Sequence, residues 1–194
     1  MVSERSQDRS GPILTQAAAL LMERLRQELV PSVLHAEDAL QLAYPGAESD
    51  FRLGVNLYDL EAIHTHGSPA MVWLDESTRR LPDLVLALHF LLFSNRKAPF
   101  HSMEPADEML LLDAAARAVH SMGPLSIPTQ ETEAHLTFEP LTLSEKQTFW
   151  QAVGQPFQPA LYLTLAPVIL PDTRLIYTPP VRSITVTTTR KESV

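Results

Sequence analysis

Residues 84–93, LVLALHFLLF, form the longest apolar run of the sequence and decide its fold. The run is too short to cross a membrane as a helix, which takes about 20 residues. Its length and continuity are typical of a strand covered on both faces, although periodicity alone also allows a buried helix. We favour a central strand, in which His89 is a hydrogen-bonded core histidine rather than a catalytic base.

Shorter patterns on both sides of this run predict the neighbouring strands. Apolar residues recur with period two from Phe51 to Tyr58, which indicates a half-buried strand, and again from Ala160 to Val168, which indicates the last core strand. Weaker patterns place short strands near Ala39–Ala43 and within Glu133–Glu139. The run at 84–93 therefore has enough partners to form a sheet.

Three segments have the spacing of helices. Apolar residues recur at helical intervals over Pro12–Leu29, and a second helix starts at Pro105 and closes before Gly123. The second helix carries an apolar series at three- and four-residue spacing: Met109, Leu112, Ala116 and Val119. A capping-box pattern of Ser144 with Gln147 predicts a third, short helix, with Trp150 as a core anchor. These elements predict an α/β (α+β) fold, a small mixed or antiparallel sheet flanked by helices.

The length of 194 residues fits one domain, which we place at 11–178. A polar leader, 1–10, precedes it, and an extended β-prone arm, 179–194, follows it. The segment Thr65–Pro82 has prolines, adjacent charges and no sustained period, and we expect a mobile surface loop there.

Charge and cysteine content exclude several functions. The chain has 23 acidic and 15 basic residues, a net charge of −8, which argues against binding to nucleic-acid backbones. It has no cysteine, which excludes thiolate catalysis and Cys-based metal sites and favours the cytoplasm. We also expect no membrane partner. Acids concentrate at 104–145 and bases at 173–194, and the pairs Asp75-Glu76 and Asp107-Glu108 are interpreted as solvated surface.

Catalytic and metal-binding patterns are weak. His64 and His66 would share one face of a strand, but no third ligand has recognisable spacing to them. Six glycines in the whole chain leave no glycine-rich phosphate loop. The residues therefore predict no catalytic, cofactor-binding or metal site, and by themselves indicate only a non-catalytic soluble domain.

The order of the motifs is more informative than any one of them. It runs through the strand at Phe51–Tyr58, the apolar run, EMLLLDAAARAV at 108–119, LTLSE at 141–145 leading to Trp150, and PALYL at 159–163. This series resembles the terminator or cap proteins of contractile injection systems of the antifeeding-prophage type. The resemblance covers roughly residues 13–178.

The resemblance implies a phage-tail-terminator-like structural protein and no enzyme. Six copies would form a ring on the inner tube, stop its growth and engage the last sheath layer, first in the cytoplasm and then as part of the particle. The partners implied are the chain itself, a tube protein and a sheath protein, without a cofactor. We expect interface residues in the loop and in the β-prone arm, which could add a strand to a neighbour: Arg79, Arg80, Arg182, Ile184, Val186 and Thr188.

Two other functions remain open on the sequence. One is a small metal-dependent hydrolase built around His64, His66 and the Thr65–Pro82 loop. The other is a cytoplasmic module that binds a peptide at an exposed sheet edge.

Overall fold

A computed structural model describes residues 12–63, 71–100, 103–128 and 130–177. In chain order its elements are α1 (Ile13–Leu29), β1 (Leu40–Leu42), β2 (Leu53–Ala62), β3 (Val72–Trp73), β4 (Thr78–Arg80), β5 (Leu84–Ser94), α2 (Pro105–Ser121), β6 (His135–Phe138), α3 (Leu143–Ala152), β7 (Ala160–Leu170) and β8 (Leu175–Tyr177). The predicted helices and core strands are confirmed within a few residues.

The described chain divides into two compact units. The larger unit holds residues 12–63 and 85–170, and the smaller unit holds 71–84 and 171–177, apart from the gaps in the description. The predicted domain bounds, 11–178, stay a prediction. The predicted leader, 1–10, and the predicted arm, 179–194, lie outside the described residues.

The larger unit is built on a mixed five-stranded sheet with the order β1-β2-β5-β7-β6. β1 runs parallel to β2, whereas the pairs β2–β5 and β6–β7 are antiparallel. The apolar run that decides the fold is therefore the central strand, as predicted, and a bulge interrupts its register with β2 between Leu57 and Asp59. The α+β fold class predicted from the sequence is confirmed.

Alternate residues of β5 face two different cores. Leu88, Phe90 and Leu92 point to the aliphatic core under α1 and α2, together with Leu163 and Leu165 of β7. On the opposite face Leu91 and Phe93 join a smaller cluster with three other buried aromatic residues, Phe51, Trp150 and Tyr162. The strand is apolar throughout because both of its faces are covered.

The aromatic cluster requires a glycine at position 54 of β2. A Cβ at Gly54 would lie 2.4 Å from the Phe93 ring and 2.9 Å from the Phe51 ring, and these two rings meet edge to face at 6.2 Å. Only a residue without a side chain lets the rings reach the backbone here.

The buried face of α2 differs from the predicted apolar series. Leu111, Ala115, Ala118 and Val119 are buried, whereas Met109 is 67% exposed. Leu110 is equally exposed. Both assignments give helical spacing in this Ala- and Leu-rich segment, so periodicity located the helix without fixing which side is buried.

The N-terminus of α3 is capped two residues earlier than predicted. Thr142, not Ser144, is the cap: its hydroxyl accepts from the Glu145 amide, and the Glu145 carboxylate accepts from the Thr142 amide at 2.7 Å. Two overlapping Ser/Thr-x-x-Glu/Gln patterns lie in this segment, and a carboxylate is the stronger acceptor. The Thr142 hydroxyl also donates to the Glu145 carboxylate at 2.7 Å, and this hydrogen bond, followed by the one from the Thr142 amide, holds the pKa of Glu145 below its ordinary value.

The prediction of a loop at Thr65–Pro82 is wrong over its described part. β3 and β4 form a hairpin that continues through β8 as a three-stranded antiparallel sheet in the order β3-β4-β8. The turn is fixed by Asp75, whose carboxylate accepts from the amides of Ser77 and Thr78 at 2.8 Å. Strands of two or three residues are too short to show a period in sequence.

Candidate assembly surfaces

The small sheet carries an exposed tryptophan stacked on a partly buried arginine on one face. Trp73, Arg79 and Ile176 lie side by side across its three strands, and the Arg79 guanidinium carbon lies 5.5 Å from the centre of the Trp73 ring. Trp73 is 57% exposed, and the Nε of Arg79 is buried without a hydrogen-bond partner among the described residues. Tryptophan and arginine are the residues most enriched at the energetic centres of protein interfaces. We call Trp73, Arg79 and Ile176 the stacked face.

The neighbouring arginine serves a different purpose. Arg80 lies on the opposite face of the small sheet, paired in register with Leu175, and binds Asp83 through both terminal nitrogens. The hydrogen bond from Arg80 lowers the pKa of Asp83 against the effect of burial. The structure therefore separates the two predicted interface arginines, since Arg80 is already paired within its own unit.

Exposed apolar side chains add to the small sheet. Leu74, Leu175 and Tyr177 are all more than half exposed, with Tyr177 at 73%. None of the described residues of the smaller unit is buried. A segment with this much apolar surface and no core of its own has the composition of a contact surface.

His89 lies in the larger unit and is a hydrogen-bonded core histidine, as predicted. Its Nδ1 lies 3.0 Å from a Glu139 carboxylate oxygen, and its Nε2 lies 3.4 Å from Glu61. The Tyr58 hydroxyl donates to the same Glu139 oxygen at 2.6 Å. Burial, followed by the hydrogen bond to Glu139, raises the pKa of Tyr58. The network ties β2, β5 and the segment after β6 together.

Trp150 is the core anchor predicted from the sequence. Its side chain is 1% exposed, and its indole N–H donates to the Tyr162 hydroxyl at 2.9 Å. Burial raises the pKa of Tyr162. The polar end of each ring is thereby satisfied inside the aromatic cluster.

The prediction that the Asp107-Glu108 pair is solvated surface is wrong for Glu108. The residue is 5% exposed, and its carboxylate accepts hydrogen bonds from Arg96 and Ser94. Burial by itself would raise the pKa of Glu108, but these hydrogen bonds and the Arg96 charge together hold it below its ordinary value. Asp107 is exposed as predicted. Adjacent residues of a helix point in different directions, so only one of the two acids faces the sheet.

Most of the acids predicted at 104–145 do lie on the surface. Apart from Glu108 and the half-buried Glu139, the exposed members are Glu104, Asp107, Asp113, Glu131, Glu133 and Glu145. The described part of the larger unit holds 16 acidic and seven basic residues, against four and three in the smaller unit. The negative charge of the chain is therefore a property of the larger unit.

The other residues predicted for sites lie outside the described residues. These are His64 and His66 of the alternative metal site and four residues of the predicted interface: Arg182, Ile184, Val186 and Thr188. The described residues contain no cluster of three or more potential metal ligands. No helix among them is long and apolar enough to span a bilayer.

Trp73, the most exposed part of the stacked face, is not among the interface residues predicted from the sequence. The available signal was an aromatic residue and two arginines on either side of an Asp-containing turn, within a segment interpreted as a loop. An isolated two-stranded hairpin is only marginally stable, so this pattern predicts a hairpin only when a third strand, here residues 175–177, is known to pair with it.

Comparison with known proteins identifies the family of this chain. Residues 16–183 match the family described as the Pvc16 N-terminal domain. The chain belongs to this Pvc16 family. A search of curated protein sequences gave no match.

Two solved structures share the fold of this Pvc16 domain. The first is the sheath/tube terminator, in the extended state, of PVC, an extracellular contractile injection system; it is 18% identical, with a TM-score of 0.61 over 93% of the present chain. The second is the tube-terminating cap of the anti-feeding prophage, AFP, which is also 18% identical and has a TM-score of 0.53 over 89% of the chain. The present chain spans 65% of the first protein and 60% of the second. The predicted terminator-like fold is confirmed.

Proposed function

We propose that this protein is a structural subunit that terminates the inner tube of a contractile, phage-tail-like injection particle. The observation that carries the proposal is the terminator fold, which extends over 93% of the chain, together with membership of the Pvc16 family. The subunit acts by binding and has no catalytic role. Its site of assembly is the cytoplasm, and it then remains part of the particle.

Symmetry sets what such a subunit must do. A tube grows because each layer presents the surface that binds the next layer, and a cap ends growth by binding one layer without recreating that surface. We propose a ring of six copies, with the tube protein on one side and the last sheath layer as a second partner. The exposed acids of the larger unit repel a further copy of the ring and so oppose stacking.

The stacked face is the proposed contact with the particle. Trp73 is 57% exposed and Arg79 beside it is only partly buried, so a partner that packs on this face gains most of the apolar area of the Trp73 ring. Truncating a central interface tryptophan or arginine to alanine often weakens the binding free energy by about 2 kcal/mol or more. Arg80 is expected to contribute less because Asp83 already holds it.

The test is electron microscopy of particles assembled with and without this chain. We expect a six-fold density at the end distal to the baseplate and uniform tubes when the chain is present, and uncapped tubes of uneven length when it is missing. Restoring the wild-type chain is the control. Uniform, capped tubes in the absence of the chain would overturn the proposal.

A further inference from the structure

The five-stranded sheet has one edge that is only partly covered. β1 pairs with the first three residues of β2, Leu53–Val55, and its last ladder bond runs from the Ala43 amide to the Val55 carbonyl at 3.0 Å. The chain then turns away, and no described strand lies beside the outer edge of β2 from residue 56 to 62. Along this stretch the Leu60 amide donates to the neighbouring Asp59 carboxylate at 2.8 Å instead of to a strand.

An apolar groove begins where β1 leaves this edge. It has a volume of about 380 Å³ and lies between α1 and β2, with a floor of Leu14, Ala18 and Leu57. Leu42 and Tyr44, at its rim, are 56% and 79% exposed. A strand laid along β2 in continuation of β1 would place alternate side chains over this groove.

We propose that the open edge of β2 receives residues 183–189 of a second copy of this chain as an added strand. Residues 184–189, ITVTTT, are β-branched without exception, which favours an extended strand. Ile184 and Val186 are two residues apart, so they share one face of such a strand and fit the apolar groove.

Charge supports the same occupant, and the linker length sets a condition on it. The segment is flanked by Arg182 on one side and by Arg190 and Lys191 on the other, whereas the open edge carries the exposed acids Asp59 and Glu61. The incoming backbone displaces Asp59 from the Leu60 amide and leaves its carboxylate to pair with a base. Only the five residues 178–182 join Tyr177 to the proposed strand, and they span at most about 20 Å when extended, so the acceptor edge of the second copy has to lie within that distance of Tyr177.

The inference rests on the proposed function, because it takes the second copy to be the neighbouring subunit of the proposed ring. A tail that leaves one copy and joins the sheet of the next is a heterologous contact, and such contacts close into a ring when repeated by rotation. β-Strand addition supplies main-chain hydrogen bonds, and the groove supplies selectivity for the side chains at positions 184 and 186.

Cysteine cross-linking of the full-length protein tests the inference, because the native chain has no cysteine. Two single variants, Leu60→Cys and Thr188→Cys, are mixed and treated with a short bismaleimide, both in concentrated solution and in assembled particles. Thr137→Cys replaces Leu60→Cys in the control, since it lies exposed on β6 at the opposite edge of the sheet. We expect a covalent dimer with Leu60→Cys and at least about tenfold less with Thr137→Cys.

A proline in the tail provides the second variant without touching the described fold. Val186→Pro removes a ladder donor and is expected to reduce the cross-linked dimer about tenfold or more, whereas Val186→Thr keeps the β-branched shape and most of the product. Cross-linking to β6, no product in either preparation, or a Leu60→Cys/Thr188→Cys double variant that closes within one chain would overturn the inference. Particles capped normally by Val186→Pro protein would also overturn it while leaving the terminator function intact.

Discussion

The two tryptophans of this chain are in opposite situations. Trp150 lies in the larger unit, is 1% exposed and has its indole N–H bonded to Tyr162. Trp73 lies in the smaller unit, is 57% exposed and stacks on Arg79. The same residue type thus stabilises the fold in one unit and presents a surface in the other. The difference is the basis of our proposal that folding and recognition are carried by separate parts of the chain.

The same substitution at the two tryptophans gives the largest expected contrast. Trp150→Ala should lower the free energy of unfolding by about 4 kcal/mol, because it removes a buried aromatic ring and leaves a cavity. Trp73→Ala should change it by about 0.5 kcal/mol or less, as is usual for exposed sites. Urea denaturation of both variants measures the difference. Equal losses at the two positions would show that the smaller unit also carries folding stability.

A pair of glycines refines the comparison within the larger unit. Gly54→Ala should cost about 2 kcal/mol, since its methyl group would collide with the Phe93 and Phe51 rings. Gly123→Ala is the control, because no atom outside its chain neighbours lies within 4 Å of the added Cβ. Thermal denaturation should give a clearly lower melting temperature for Gly54→Ala than for Gly123→Ala. A neutral Gly54→Ala variant would mean that the aromatic cluster is loosely packed.

Glu108 offers a test in which pH is the variable. Glu108→Gln should lower the free energy of unfolding by about 2 kcal/mol at neutral pH, the usual contribution of charged hydrogen bonds. The folded-state pKa of Glu108 lies below its ordinary value of 4.5, so its stabilisation is present above that value and is lost as pH falls through the folded pKa.

The difference between wild type and Glu108→Gln should therefore shrink below about pH 4.5. Asp107→Asn, at the exposed neighbour, serves as the control and should have little effect at any pH. Denaturation curves between neutral and acidic pH measure both variants. A difference that stays constant into acid would contradict the assignment of Glu108 as a buried, ionised partner of Arg96.

Substitutions in the stacked face should have the smallest effect on the free energy of unfolding and a large effect on assembly. The double variant Trp73→Ala/Arg79→Ala is expected to keep its unfolding free energy within about 0.5 kcal/mol of wild type. Arg80→Ala is the matched control on the opposite face of the same small sheet. Binding of each purified variant to uncapped tubes, measured by co-sedimentation, should fall for the double variant and change little for Arg80→Ala.

The elements with long patterns could be predicted from the sequence, and the surfaces could not. The run at 84–93 and the Ala- and Leu-rich helix α2 extend over ten or more residues, so their patterns outweigh local noise. Burial of Glu108 depends on Arg96 and Ser94, which no local pattern relates to it. The stacked face depends on pairing β4 with β8, almost 100 residues later in the chain. Long-range contacts of single residues leave no periodic signal.

The most direct test of the separation between folding and recognition is cryo-electron microscopy of particles assembled with the Trp73→Ala/Arg79→Ala protein as the sole copy of this chain. We predict uncapped tubes of uneven length, although the purified variant has the melting temperature of the wild type. Tubes of uniform length with a terminal density at wild-type occupancy would contradict the account.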